Sequence, residues 1–493
     1  MRLKFFSSKY LKLHGNSGVC FINMTTVGKD QNLSQQRSLL DEGELATTVE
    51  KDPSMGARQL VLPRPKRPRH MLLVASSICL LLFVLWMRCR YFSTRRFSFV
   101  GRVDHEQGNE NMTLVILPQA LADTKGAYCL DKSPPSFYIR KAKDTKTQRS
   151  WFVTLQGGGW CWNASDCYNR SLSSLGSSYL LPKEIQFNGT MSANSTVNPE
   201  FYDWNMVMIN YCDGASFSGN LESPVSYNNT HIYYRGYRVL KLVLAYLLER
   251  VGLAKAERII LGGVSAGGLA VYLHVDYIRS VVPASIPLHG MVDAGFFLDE
   301  RNISGYEHYR IHMVEIYHMQ NASGSLNKAC EAATSGESSW KCFFAEYTYP
   351  YIRSVPLFII NSAYDYWQQW FILDLRCHPL QCPDKLKYLT RHHTNFMQEI
   401  NQVYRHPDDG MFISSCYAHS QVFHDDTWMT YKVGGKATRE AFGDWYFGRT
   451  TPAESRYVDC SPYYDCNPSC KKSWTLPFYK NVTNHMKTST PDF

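Results

Sequence analysis

Residues 258–279 read RIILGGVSAGGLAVYLHVDYIR. Arg258–Leu261 opens an apolar, β-branched run that reads as a strand. Gly-x-Ser-x-Gly follows at Gly263–Gly267, and from Leu269 to about Arg279 the pattern is helical. A turn this abrupt between strand and helix lifts the serine hydroxyl above the sheet edge. A side chain two residues before or after Ser265 would collide across the turn, hence glycine at both places. The helix start behind Ser265 offers free backbone N–H groups and a positive dipole end to an oxyanion.

On both sides of this turn, short β-branched and aromatic runs alternate with helical patterns. Strands are expected at Trp151–Gln156, Met206–Tyr211, Arg258–Gly263, Ile286–Val292 and Val355–Asn361. A buried helix is expected over His231–Gly252, with Arg235, Arg238, Lys241 and Glu249 as its polar stripe. The expected fold is therefore α/β, a mostly parallel sheet with flanking helices. Such a sheet carries its reactive residues on loops leaving the carboxyl ends of its strands.

Gly157–Gly158–Gly159–Trp160 leaves the first of those strands. A side-chain-poor loop there can bring backbone N–H groups to a tetrahedral intermediate, so Gly159, Trp160 and Ala266 are the candidate oxyanion donors. Cys161 and Cys167 are spaced to bridge and pin the loop. A serine needs a base, and the base an orienting acid. In α/β-hydrolases these follow the serine in the order acid, histidine. Asp365 sits just past a strand end, whereas Asp374 and Asp384 are farther from one. His419 closes the apolar stretch Met411–His419, while His392, His393 and His424 lie in polar surroundings; position favours His419 and leaves His424 open.

The formal net charge of +9 is not spread over the chain. Residues 1–100 hold 16 of the 52 Lys and Arg but only 6 of the 43 Asp and Glu, so the remainder is close to neutral. A nucleic-acid partner loses its electrostatic support. Met71–Met87 (MLLVASSICLLLFVLWM) is 17 residues without a charge, the lower limit for a membrane-spanning or signal-anchor helix. Arginines flank it on both sides, so the charges do not orient it. Twelve cysteines follow it, an even set suited to six bridges, and Asn-x-Ser/Thr sequons begin at Asn111, Asn163, Asn169, Asn188, Asn194, Asn228, Asn302, Asn321 and Asn481. Both features place the C-terminal part in the lumen. The expected organisation is a disordered basic cytosolic tail (1–70), an anchor (71–87), a stem (88–115), a catalytic domain (116–475) and a C-terminal tail (476–493). Cleavage of 71–87 as a signal peptide, with translation starting at Met55, is the alternative. Cys460, Cys466 and Cys470 lack the paired close spacing of structural zinc, so no metal is expected.

Six blocks carry a family resemblance: GGGWCW (157–162), FYDWNMVMINYCDGASFSGN (201–220), GVSAGGLA (263–270), DAGFFLD (293–299), PLFIINSAYDYWQ (356–368) and ISSCYAHSQ (413–421). Over roughly residues 115–475 the chain resembles plant pectin acetylesterases, which share a carbohydrate-esterase family with animal Notum carboxylesterases; CDGASFSGN and AYDYWQ fit the plant branch better. The resemblance implies a triad of Ser265, Asp365 and His419 with Gly159, Trp160 and Ala266 at the oxyanion. It also implies hydrolysis of O-acetyl esters on an acetylated pectin polysaccharide, without metal or organic cofactor. Val264, Val275 and Ser420 stand where the plant pattern has Cys. Two other functions compete: a Notum-like deacylase with a long apolar acyl pocket, and an inactive polysaccharide-binding glycoprotein.

Overall fold

The computed structural model describes residues 110–334, 336–460 and 466–470, together with the strands Tyr10–Gly15 and Gly18–Asn23. Those two strands pair antiparallel and belong to a separate unit, Met1–Arg102. The rest of the expected tail, the candidate anchor 71–87 and the C-terminal tail 476–493 lie outside the described residues. Among the described residues, no helix is long and apolar enough to cross a membrane.

The second unit is built on one ten-stranded sheet. Its strands in chain order are β1 (Met112–Ile116), β2 (Ser136–Arg140), β3 (Ser150–Leu155), β4 (Glu184–Ile185) and β5 (Asn205–Ile209). They continue with β6 (Arg258–Val264), β7 (Leu288–Asp293), β8 (Leu357–Ser362), β9 (Gly410–Ser414) and β10 (Arg456–Val458). Across the sheet they run β10-β9-β8-β7-β6-β3-β5-β2-β1-β4. The seven strands from β10 to β5 are parallel, and β2, β1 and β4 add antiparallel pairs at one edge. This is the expected mostly parallel α/β architecture, with β6 in the interior.

Both faces of the parallel part are covered, so its strands are apolar at nearly every position. Ile259 and Leu261 of β6 face one core with Val153, Val292 and Ile359, under the helices α1 (Gly236–Tyr246) and α2 (Ala266–Val281). Ile260 and Val264 face the other with Phe152, Phe358 and Phe412, against Trp428, Phe442 and Trp445. Helix α3 (His308–Met319) follows β7, α4 (Tyr366–Phe371) follows β8, and α5 (Leu386–Ile400) precedes β9.

Three expectations need correction. The stem does not reach residue 115, because Met112–Ile116 pairs with Ser136–Arg140 inside the main sheet. The helix over His231–Gly252 starts late: Thr230–Ile232 pairs with Val225–Tyr227, and Asn228 and Asn229 turn between them at φ +48° and +58°. Asparagine tolerates that left-handed pair, which makes a tight hairpin of the preceding residues. Third, Asn302 is buried, its side chain accepting from the N–H groups of Ser304 and Tyr306, so that sequon is not a surface site.

All twelve cysteines of this unit pair: Cys129–Cys212, Cys161–Cys167, Cys330–Cys342, Cys377–Cys382, Cys416–Cys470 and Cys460–Cys466. Six bridges mark a chain matured in an oxidising compartment. They also occupy every sulfur of the weighed zinc ligand set.

Candidate active site

Ser265 joins β6 to α2 with φ +59° and ψ −127°, a region costly for a residue with a β-carbon. The surrounding glycines are required by contact. A β-carbon on Gly263 would lie 2.2 Å from the carbonyl oxygen of Gly267, and one on Gly267 would lie 2.1 Å from that of Leu155. The turn is further held by the Ser265 N–H, which donates to the carbonyl of Asp293 at 2.9 Å.

Asp365 follows β8 and is fully buried. Its Oδ1 accepts from the N–H groups of Trp367 at 2.8 Å and Gln368 at 3.3 Å, so the carboxylate caps α4 and cannot rotate freely. His419 hangs on the loop after β9. Its Nδ1 lies 2.8 Å from Asp365 Oδ2 and 3.0 Å from Oδ1, and its Nε2 lies 2.8 Å from Ser265 Oγ. A nitrogen facing two carboxylate oxygens carries the proton, which leaves Nε2 as acceptor for the serine hydroxyl. The three side chains thus form one hydrogen-bonded line, buried at its acid end and open at the serine.

The Gly157–Trp160 loop lies against the elbow: a β-carbon on Gly157 would be 2.1 Å from the carbonyl oxygen of Val264 and 2.9 Å from Ser265 Cβ. Gly159 adopts φ +66°. Its carbonyl accepts from the Tyr211 hydroxyl at 2.8 Å, Gly158 accepts from Arg170 at 2.9 Å, and Cys161–Cys167 closes the loop behind. Ser216 ties the two sides together. Its hydroxyl accepts from Trp160 Nε1 at 2.8 Å and donates to the carbonyl of Ala266 at 2.7 Å. Asp213 holds the Ser216 segment by accepting from Ala215 and Phe217 N–H groups, both at 3.3 Å, and burial pushes its carboxyl up to about 6.

Sequence inspection missed Ser216 and Asp293, although both lie in the quoted blocks. Asp293 ends β7, and its Oδ2 accepts from Gln421 N–H at 2.6 Å and Val422 N–H at 2.9 Å, two and three residues past His419. One residue therefore anchors the serine turn by its carbonyl and the histidine loop by its carboxylate. Burial pushes the Asp293 carboxyl up to about 7, with the Val422 N–H and His419 pulling the other way.

The remaining candidates fall elsewhere. His424 precedes the short helix Asp425–Thr430, His392 pairs with Glu300 at 2.7 Å, and His393 stacks on Tyr364. Asp374 pairs with Arg376, and Asp384 lies in the turn Pro383–Lys385. A cavity of about 380 Å³ opens on the hydrogen-bonded line, walled by Gly158, Gly159, Ser265, Trp367, His419 and Phe423. Within it a hydroxyl nucleophile, a base and backbone donors can meet one carbonyl, the requirement for acyl transfer.

Comparison with known proteins agrees with that chemistry. The profile of the family described as Pectinacetylesterase matches residues 105–471. Pectin acetylesterase 5 of Arabidopsis thaliana is 35% identical over 367 residues, covering 71% of this chain and 83% of that protein. The palmitoleoyl-protein carboxylesterase NOTUM of Homo sapiens is 27% identical over 395 residues, 74% of each chain. Among solved structures, the Wnt deacylase Notum from Drosophila aligns with a TM-score of 0.63 at 25% identity, covering 73% of this chain and 99% of that one. By profile, plant relatives and fold together, the chain belongs to the pectinacetylesterase family and is a carboxylic ester hydrolase.

Proposed function

We propose that this protein is a serine esterase that removes O-acetyl groups from pectin, with Ser265 as nucleophile, His419 as general base and acid, and Asp365 as orienting acid. The observation that carries the proposal is the unbroken line Ser265 Oγ, His419 Nε2 and Nδ1, Asp365 Oδ2, each step 2.8 Å. Ser265 Oγ attacks the acetyl carbonyl carbon while Nε2 takes its proton. The oxyanion that forms lies against the N–H groups of Gly159, Trp160 and Ala266. Collapse expels the sugar oxygen, which takes the proton back from His419, and leaves acetyl-Ser265. Water activated by the same imidazole then releases acetate.

The six bridges and the exposed sequons, Asn163, Asn169 and Asn228 among them, support a glycoprotein that acts in the cell wall or on the lumenal side of a membrane, with Met71–Met87 as a type II anchor. The experiment is acetate release from acetylated homogalacturonan by the purified protein, beside cleavage of a palmitoleoyl-serine peptide. Acetate release with little peptide turnover is expected; the reverse preference overturns the substrate assignment. A Notum-like deacylase is the second reading, favoured by one observation, a large apolar cavity adjoining the site.

A further inference from the structure

That second cavity measures about 510 Å³ and is walled mainly by aromatic and apolar side chains, such as Trp160, Met313 and Phe371, with His312, Asp374 and Arg376 among its polar positions. Its size falls within the roughly 300–1,000 Å³ of pockets that hold drug-sized ligands, so it has room for a chain of many carbons. Ser265 and His419 line the 380 Å³ cavity but not this one. Gly159 and Trp367 line both. Gly159 has no side chain, so Trp367 supplies the one side chain that lines both spaces.

The indole is held in place from several sides. It packs edge-on against Trp160 at 5.4 Å, Phe297 at 5.1 Å and Tyr309 at 6.1 Å between ring centres, and lies within 28° of parallel to the His419 ring at 6.1 Å. Its backbone N–H donates to Asp365, so the acid that orients the base also fixes the start of the helix carrying Trp367. A side chain locked by packing on these faces does not swing aside cheaply.

We infer that Trp367 sets the acyl length this site accepts: its indole stops the acyl group at the first cavity, which suits an acetyl methyl and excludes a chain long enough to need the second. The inference rests on the esterase proposed above and deepens it, by assigning acetyl over long-chain esters to one residue. It also accounts for a chain that shares its fold with long-chain deacylases while keeping the adjoining apolar space closed to the nucleophile.

The test measures kcat/KM for p-nitrophenyl acetate and p-nitrophenyl octanoate with the full chain and with Trp367→Ala, and acetate release from acetylated pectin with the same preparations. The octanoate-to-acetate ratio is expected to be low in the native protein and to rise roughly ten- to hundred-fold in the variant, the range that pocket changes of this size produce. An unchanged ratio in a folded variant overturns the role of Trp367 while leaving the acetylesterase intact. Absence of acetate release from pectin by the native protein, with a ratio that still responds to the substitution, overturns the substrate and leaves the role of Trp367. If the alanine variant does not fold, Trp367→Leu, which keeps an apolar side chain against Phe297, is read by the same ratio.

Discussion

His419 owes its usefulness to what lies opposite its second nitrogen. Asp365 presents two acceptor oxygens to Nδ1 and, being tied to the first turn of α4, presents them in one orientation. Asp365→Asn keeps the shape but sets an amide against that nitrogen, which favours the tautomer with its proton toward Ser265. Turnover should then fall on the order of 10⁴-fold with KM little changed, measured on a small aryl acetate. A loss below about ten-fold would remove Asp365 from the line. The chain order of acid and base was legible in the sequence because strand ends are. Spacing alone left His424, five residues on along the same loop, open beside His419; the family resemblance pointed to His419, and its 2.8 Å approach to Ser265 agrees. Ser216 was beyond reach for a different reason: it acts 50 residues from Ala266 and 56 from Trp160, through a backbone at φ +49° that no periodicity signals.

Among elements, five of the buried strands announced themselves as apolar runs, and all five occur within two residues of their expected starts; β2 and β9, also buried, were not expected. Short strands near the edges did not announce themselves, because β1 is fully buried only at Met112, with no regular alternation after it, and β10 is three residues of mixed character. The hairpin before α1 was legible in principle from Asn228–Asn229, but the apolar pattern on its C-terminal side masked it. The connection that matters most for chemistry is between β7 and the loop after β9, made by Asp293. Asp293→Ala leaves the Gln421 and Val422 N–H groups without their acceptor, so the histidine loop should loosen. We expect a fall in kcat of about ten-fold or more and a stability loss of about 1–3 kcal/mol. Asp293→Asn keeps a carbonyl oxygen for both donors and should recover most of the rate. Equal damage from the two substitutions in steady-state kinetics would refute an anchoring role.

For the whole molecule, burial of acids gives stability a pH dependence whose sign can be worked out. Burial raises Glu346 to about 8 and Asp293 to about 7, whereas their unfolded counterparts titrate near 4. The fold therefore binds more protons than the unfolded chain between these values, and stability grows as pH falls from 8. Below about 6.5 the opposing term enters, because burial lowers His274 and His312 to about 4 while unfolded histidine takes up its proton. Unfolding midpoints should rise from pH 8.5 to 6.5 and then level off; a steady fall over the first interval would contradict the assignment of these buried groups. Disulfide pairing was legible in number, since twelve cysteines after the apolar segment suggested six bridges, but the partners depend on which loops the sheet brings together, as with Cys416 and Cys470, 54 residues apart. Every step of the chemistry passes through Ser265, and the most direct measurement is covalent. Treatment with a fluorophosphonate ester, followed by peptide mapping by mass spectrometry, should place the adduct on Ser265, abolish ester turnover in step with labelling, and fail in Ser265→Ala. An adduct on another residue that tracks the loss of activity, or undiminished turnover in Ser265→Ala, would contradict this role of Ser265.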